Sequence, residues 1–346
     1  MTTTTTHTST LFVGGYTEGA GGSGRGIRRL NRDADGRLSG EAVTPAAAPS
    51  FLAPHPRLPV LYAVGELEEG LLRAYSVTPD GTLDLLAELP TGGKEPCHVA
   101  VRPDGSAVAV ANYGDGVASW WALDAAGLPA GERRTAGNSG SGPDRDRQEG
   151  PHAHLCAFPA EGELWVTDLG TDEIRRYRDG LDPDPRGPIR VQPGTGPRHL
   201  TRHGDRWYLA GELGNGSLTL LAPDGEGGLR EAHRVPASTS TGHNQPSHVD
   251  VSTDGRFVYV ANRGPDTLAT FAVDGDRLIP AAEIPVGGAW PRHFVLVDDH
   301  LYVANQNSDT ITTFALPHGT GLPTATGDSF ETPSPSCLTP WPHHRI

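Results

Sequence analysis

The sequence predicts an all-β fold, a seven-bladed β-propeller closed by pairing its two ends. Three observations carry that reading: a proline-led motif that recurs seven times, a strand-like motif that also recurs seven times, and a composition rich in turn residues. The proline-led motif appears as Pro49-Ser50-Phe51, Pro96-Cys97-His98, Pro151-His152-Ala153, Pro197-Arg198-His199, Pro246-Ser247-His248, Pro291-Arg292-His293 and Pro335-Ser336-Cys337. Successive prolines lie 47, 55, 46, 49, 45 and 44 residues apart, the period of a propeller blade. The one long interval holds residues 131–150, GERRTAGNSGSGPDRDRQEG, whose polar, glycine-rich character predicts a loop inserted between blades.

Each repeat has the same internal order. A short apolar strand follows the proline, as in His98-Val99-Ala100-Val101. A turn comes next, Arg102-Pro103-Asp104-Gly105 or Ser252-Thr253-Asp254-Gly255, where Asp-Gly suits a tight reversal. The second strand is the most regular element: LFVGGY at 11–16, LYAVGE at 61–66, VAVANY at 108–113, LWVTDL at 164–169, WYLAGE at 207–212, VYVANR at 258–263 and LYVANQ at 301–306. A third strand alternates, as in ITTFAL at 311–316. The chain starts with a second strand that lacks a first and ends with a proline-led strand, at 335–338, that lacks a second. Joined, the two halves complete one blade and remove an open sheet edge. The expected organisation is a disordered segment over residues 1–10, one propeller domain over 11–340 and a short tail over 341–346.

Glycine (45) and proline (31) suit many short strands joined by turns. The formal charge of −14 argues against nucleic acid or an anionic membrane surface as partner. No apolar run approaches the ~18 residues of a membrane span, and the opening MTTTTTHTST has no signal-peptide character. Three scattered cysteines, Cys97, Cys156 and Cys337, suit a reducing cytoplasm rather than a disulfide framework. The oligomeric state is left open; a monomer is compatible with the sequence.

Innermost strands line a propeller's channel, so two repeat positions face its mouth. One follows each proline: Ser50, Cys97 with His98, His152 with His154, Arg198 with His199, Ser247 with His248, Arg292 with His293, and Ser336. The other ends each second strand: Tyr16, Glu66, Tyr113, Leu169, Glu212, Arg263 and Gln306. A purely structural repeat fills all seven blades alike, so variation at these places points to a site. The recurring histidines His98, His199, His248 and His293 suit blade-to-blade hydrogen bonds better than catalysis. Asn112, Asn262, Asn305 and Asp168 suit ties between strand ends and loops. Arg198, Arg263, Arg292 and Glu212 break the repeat, either as structural ion pairs or as a site. In a site, a histidine and a carboxylate exchange protons, while arginines hold an anion or a developing oxyanion. His152 and His154 flank one alanine and lack neighbours at zinc-like spacing, so no metal is expected there. No G-x-S-x-G elbow or Ser-His-Asp order supports acyl transfer through serine.

The stretches GSGPDRDRQEGPHAH at 140–154, LWVTDLGTDEIRRY at 164–177, GTGPRHL at 194–200, GEL at 211–213 and FVYVANRGPDTLATF at 257–271 together resemble the propeller lactonase family, which includes 6-phosphogluconolactonases and 3-carboxy-cis,cis-muconate lactonizing enzymes. The resemblance runs from Leu11 to Leu338. It implies lactone chemistry without metal or cofactor, at a His, two Arg and a Glu grouped at the channel mouth. By motif the histidine is His152 or His154, the arginines are Arg198 and Arg263, and the glutamate is Glu212. Tyr16, Glu66, His98, Tyr113, His199, His248 and Arg292 are the expected substrate-binding neighbours. The expected partner is a small anionic lactone, foremost 6-phosphogluconolactone. Alternatives are lactonization or another cyclization, a non-catalytic binding propeller, and a metal-dependent gluconolactonase using Glu66 and the recurrent asparagines. Where many members carry a histidine this chain has Asp250, and an acidic residue is unwelcome beside a phosphate. Replacing Glu212 is expected to cost rate and spare the fold.

Overall fold

The computed structural model describes residues 9–317 and 319–341, which form seven antiparallel sheets arranged as the blades of a propeller. Six blades run outward in chain order. The second consists of Leu52–Pro54, Val60–Gly65, Leu71–Val77 and Leu83–Pro90, and the third of Pro96–Val101, Ala107–Asn112, Ala118–Leu123 and Pro129–Ala136. The fourth has Ala153–Ala157, Glu163–Asp168 and Glu173–Arg178, edged by the two-residue pieces Asp182–Pro183 and Ile189–Arg190. The fifth runs through Pro197–His203, Arg206–Gly211, Ser217–Pro223 and Leu229–Pro236, and the sixth through Gln245–Val251, Phe257–Arg263, Thr267–Asp274 and Arg277–Pro285. The seventh has Pro291–Val297, His300–Asn305, Thr310–Ala315 and Thr324–Glu331.

The first blade is shared between the ends. Pro335–Pro340 supplies its inner strand and pairs with Ser9–Gly15 from Leu11↔Pro340 to Gly15↔Pro335, followed by Gly26–Arg32 and Leu38–Pro45. This strand starts at Ser9, two residues before the expected boundary, because Ser9 and Thr10 pair with Arg32 and Asn31. At the other end Trp341 packs its ring on Phe12 at 5.6 Å. The remainder of the expected lead-in and tail, residues 1–8 and 342–346, lies outside the described residues.

The repeated second strand explains why the blades stack. Its aliphatic residues are buried on both faces: Val60, Tyr62 and Val64 of the second blade pack against Val108, Val110 and Trp121 of the third. The tyrosine of this motif also reaches a turn of the following blade. Tyr259 donates to the Gly321 carbonyl at 2.9 Å, Tyr302 to Gly36 at 2.7 Å, and Tyr62 to Gly127. At the Asp-Gly turns Gly105 adopts φ 75°, its N–H reaching Arg102 at 2.8 Å, a conformation that side chains disfavour. Asn112 and Asn262 tie strand ends to loops, donating to Val117 O at 2.8 Å and Ala237 O at 2.9 Å.

One expectation is corrected. Residues 131–136 are not loop but part of the outer strand Pro129–Ala136 of the third blade, and the insertion proper follows it. Among the described residues no helix is long and apolar enough to cross a membrane.

Candidate active site

A β-bulge at the head of the inner strands creates the side-chain positions at the channel mouth. In the fifth blade Pro197 pairs with Gly211 and His199 with Ala210, so Arg198 has no cross-strand partner. The same slip frees Cys97, Ser247 and Arg292 in their blades. In the fourth blade the slip falls two residues later than the proline register suggests, between Ala153↔Asp168 and Leu155↔Thr167. His154, rather than His152, therefore occupies the place equivalent to Arg198 and Arg292. A bulged residue is released from the ladder and its side chain re-aimed, which is how one blade repeat presents Cys97, His154, Arg198, Ser247 and Arg292 at one mouth.

Glu212 is the hub, with its side chain 3% exposed. Its Oε2 lies 3.0 Å from Arg198 Nε and 2.7 Å from Arg263 Nη2, while Oε1 accepts from Arg147 Nη2 at 2.7 Å. The inner arginines are anchored elsewhere, Arg263 Nε on Gln245 O at 3.0 Å and Arg198 Nη1 on Ser247 O. Arg198 Nε and Arg263 Nη2 are buried and near the carboxylate, yet neither aims its N–H at it in hydrogen-bond geometry. Burial opposes ionisation of Glu212, but the guanidinium groups of Arg263 and Arg198 outweigh it and hold the carboxyl well below its usual range.

Beside this hub Arg292 lies 5.1 Å over the Tyr16 ring and donates to its hydroxyl, and Tyr16 donates to Glu66 Oε2 at 3.1 Å. Burial pushes Glu66 above the usual carboxylate range. Four guanidinium groups thus meet at most two carboxylates, leaving a surplus of positive charge at the mouth of an otherwise acidic protein.

The two candidate histidines differ. His154 Nδ1 lies 3.7 Å from Cys97 Sγ, and among the described residues no hydrogen bond engages its Nε2. Burial, then the Arg198 charge, hold its ring well below the ordinary imidazole range, so it is neutral. His152 stacks on Tyr113 at 4.6 Å, with Nδ1 2.8 Å from the Tyr113 carbonyl and Nε2 3.0 Å from Glu149 Oε1. Both its ring nitrogens are thus engaged by oxygen atoms of neighbouring residues.

His98, His199 and His248, expected as substrate neighbours, gather with His293 in a ring cluster beside Phe51. His98 Nδ1 accepts Cys156 N–H and His293 Nδ1 accepts Leu338 N–H, both at 3.3 Å, each across to the next blade. His199 and His248 share a 2.8 Å contact between their Nδ1 atoms. Burial brings His98 and His293 down to about 3, which suits neutral acceptors. Asp250 contacts Thr201 and Val251 N–H, and burial raises it to about 6; no arginine contacts it among the described residues, so it stands apart from the guanidinium hub.

The sequence reading missed Arg147, Gln148 and Glu149. All three lie on the insertion, and the signals were its position in the single long interval of the repeat and its place in the 140–154 stretch that carries the family resemblance. No group of three or more His, Cys, Asp or Glu suited to hold a metal occurs among the described residues.

The family model described as Lactonase, 7-bladed beta-propeller matches residues 10–340. The chain is 32% identical over 297 residues to 6-phosphogluconolactonase of Bacillus subtilis (strain 168), covering 82% of this chain and 84% of that protein. Among solved structures it is similar to a Bacteroides fragilis protein (TM-score 0.90, 28% identity, covering 99% of this chain and 100% of that one). It is also similar to the periplasmic gluconolactonase PpgL of Pseudomonas aeruginosa (TM-score 0.87, 30% identity, covering 96% and 99%). The repeat, the closure of the ring and the match across nearly the whole chain agree: the protein belongs to the lactonase family of seven-bladed β-propellers.

Proposed function

We propose that the protein hydrolyses a sugar-acid lactone, 6-phosphogluconolactone to 6-phosphogluconate, by metal-independent acid–base catalysis at the channel mouth. One observation carries the reading. Two buried guanidinium groups, Arg198 and Arg263, converge on Glu212 Oε2 at 3.0 and 2.7 Å, and the Arg198 charge reaches a neutral His154 whose Nε2 is free of hydrogen bonds to described residues. The relatives named 6-phosphogluconolactonase and gluconolactonase support the same chemistry.

His154 Nε2 takes a proton from water as the water oxygen adds to the lactone carbonyl carbon. The carbonyl electron pair moves to oxygen, and the oxyanion is met by Arg198 and Arg263. Collapse restores the carbonyl and expels the ring oxygen, which takes the proton back from His154, leaving an open-chain hydroxy acid. Glu212, too weak a base under three guanidinium groups, keeps those groups fixed. The neutral state of His154 makes it ready to accept a proton, and an anionic substrate that offsets the Arg198 charge raises its basicity. Cytoplasmic residence fits the three buried cysteines, all free.

The test measures initial rates with 6-phosphogluconolactone and gluconolactone, each corrected for a buffer blank at the same pH. Arg198→Ala and Arg263→Ala are expected to lower kcat by about 10²–10³ with both lactones, as loss of an oxyanion donor does. A rise in KM alone would reassign these arginines to ground-state binding. Absence of any rate above the blank would leave a binding propeller.

A further inference from the structure

The insertion after the third blade is built into the site. Asp144 caps its turn, with Oδ1 accepting the N–H groups of Asp146 at 3.1 Å and Arg147 at 3.2 Å. Gln148 is fully buried: its Oε1 accepts Asp144 N–H at 3.1 Å and its Nε2 donates to Leu169 O at 2.8 Å. Gly142 lies so close that a Cβ there would come within 2.3 Å of the Gln148 side chain. This anchor fixes the residues on either side, Arg147 against Glu212 and Tyr113, and Glu149 against His152.

Arg147 differs from the other guanidinium groups around Glu212. Its side chain is 33% exposed, against 3% for Arg198 and 5% for Arg263. Arg147 spends Nη2 alone, on Tyr113 Oη at 3.0 Å and Glu212 Oε1 at 2.7 Å, and among the described residues no hydrogen bond engages its Nε or Nη1. A doubly charged group at such a rim keeps part of its hydration, whereas the same charge at the inner pair must be fully desolvated.

We propose that Arg147, with the Tyr113 hydroxyl, forms the subsite for a phosphate at the distal end of the lactone and selects phosphorylated over unphosphorylated substrate. Gln148 is its positioning residue. This rests on the lactonase reading for its kinetics and not for its binding test.

Two measurements test it. In steady-state kinetics Arg147→Ala is expected to raise the ratio of KM for 6-phosphogluconolactone to KM for gluconolactone by about 10- to 100-fold, the range of a lost charge-assisted hydrogen bond, whatever loss it causes with both lactones through Glu212. Arg147→Lys, which keeps charge without the planar fork, should fall between. Gln148→Ala should show the same substrate split at smaller size. In calorimetry the wild-type protein should bind 6-phosphogluconate more tightly than gluconate, and Arg147→Ala should erase that difference. Equal losses with both lactones, or a phosphate preference surviving in Arg147→Ala, would overturn the assignment. If the wild type turns over neither lactone, the hydrolase reading fails while calorimetry still decides the phosphate subsite.

Discussion

Replacing Glu212 by glutamine keeps the shape of the side chain and removes the one carboxylate that faces Arg147, Arg198 and Arg263. Two of these guanidinium groups are at least 95% buried, so the charge left behind cannot recover its hydration. Breaking a buried ion pair from one side costs about 3–5 kcal/mol. At roughly 2 °C per kcal/mol for a large domain, Glu212→Gln is expected to lower Tm by about 6–10 °C in low-salt buffer without phosphate. The sequence alone suggested that this change would spare the fold; the hub geometry reverses that expectation. Two controls isolate the cause. Inorganic phosphate should stabilise Glu212→Gln more than wild type, because an added anion takes the vacated role, with about 2.7 kcal/mol gained at a hundredfold excess over its Kd. Adding Arg147→Ala to Glu212→Gln should recover part of the loss by removing one unpaired charge. Differential scanning fluorimetry reads all of these. A Tm within a degree of wild type, or equal stabilisation of both proteins by phosphate, would refute the hub.

Three further outcomes follow from the same geometry. Deleting residues 333–346 removes Pro335–Pro340, with Cys337 and Leu338 buried at 1% and 2%, and exposes sheet edges on both sides; insoluble expression or a collapsed melting temperature is expected, and an unchanged Tm would contradict closure of the ring. His98 and His293 titrate near 3 when folded and near 6.5 when unfolded, so the unfolded chain binds more protons at acid pH. Stability from these two is nearly full above about pH 7.5 and falls by about 1.4 kcal/mol from pH 7 to 6 and about 2.4 kcal/mol from pH 6 to 5, which urea midpoints at pH 7, 6 and 5 check. Prolonged EDTA treatment is expected to leave lactonase activity intact, and recovery of a lost activity by added Ca²⁺ would instead implicate a metal.

The repeat was legible because two independent motifs kept time in every blade, and because the orphan strands at the two ends matched one another. The hub residues Arg198, Glu212 and Arg263 were legible as departures from that repeat. The register of the fourth blade was not. Pro151 aligns with the other prolines in sequence, yet Ala153 takes their pairing position, since a bulge depends on cross-strand hydrogen bonds that no one-dimensional pattern contains. Arg147 was hidden for a different reason. It lies in a glycine-rich, charged stretch that reads as solvated loop, and only the buried amide of Gln148, seen with its two partners, shows that the loop is pinned to the site. The histidines also proved to be distinct: His98 and His293 serve as backbone acceptors between blades, while His154, placed by the bulge, packs its ring 5.5 Å from both Tyr113 and His199 within reach of the Arg198 charge.

The most direct test of the account is the initial rate of 6-phosphogluconolactone hydrolysis by wild type, His154→Ala and His152→Ala between pH 5 and pH 8, each with its buffer blank subtracted. Because burial and Arg198 hold His154 well below 6.5, wild-type kcat/KM is expected to stay flat from pH 8 down to pH 6, with the acid limb below that. His154→Ala should lose about 10²–10⁴ in kcat, and His152→Ala, whose ring is already engaged by Tyr113 and Glu149, should lose much less. A wild-type rate equal to the blank, an acid limb centred at 6.5 or above, or a His154→Ala protein as fast as wild type would contradict it.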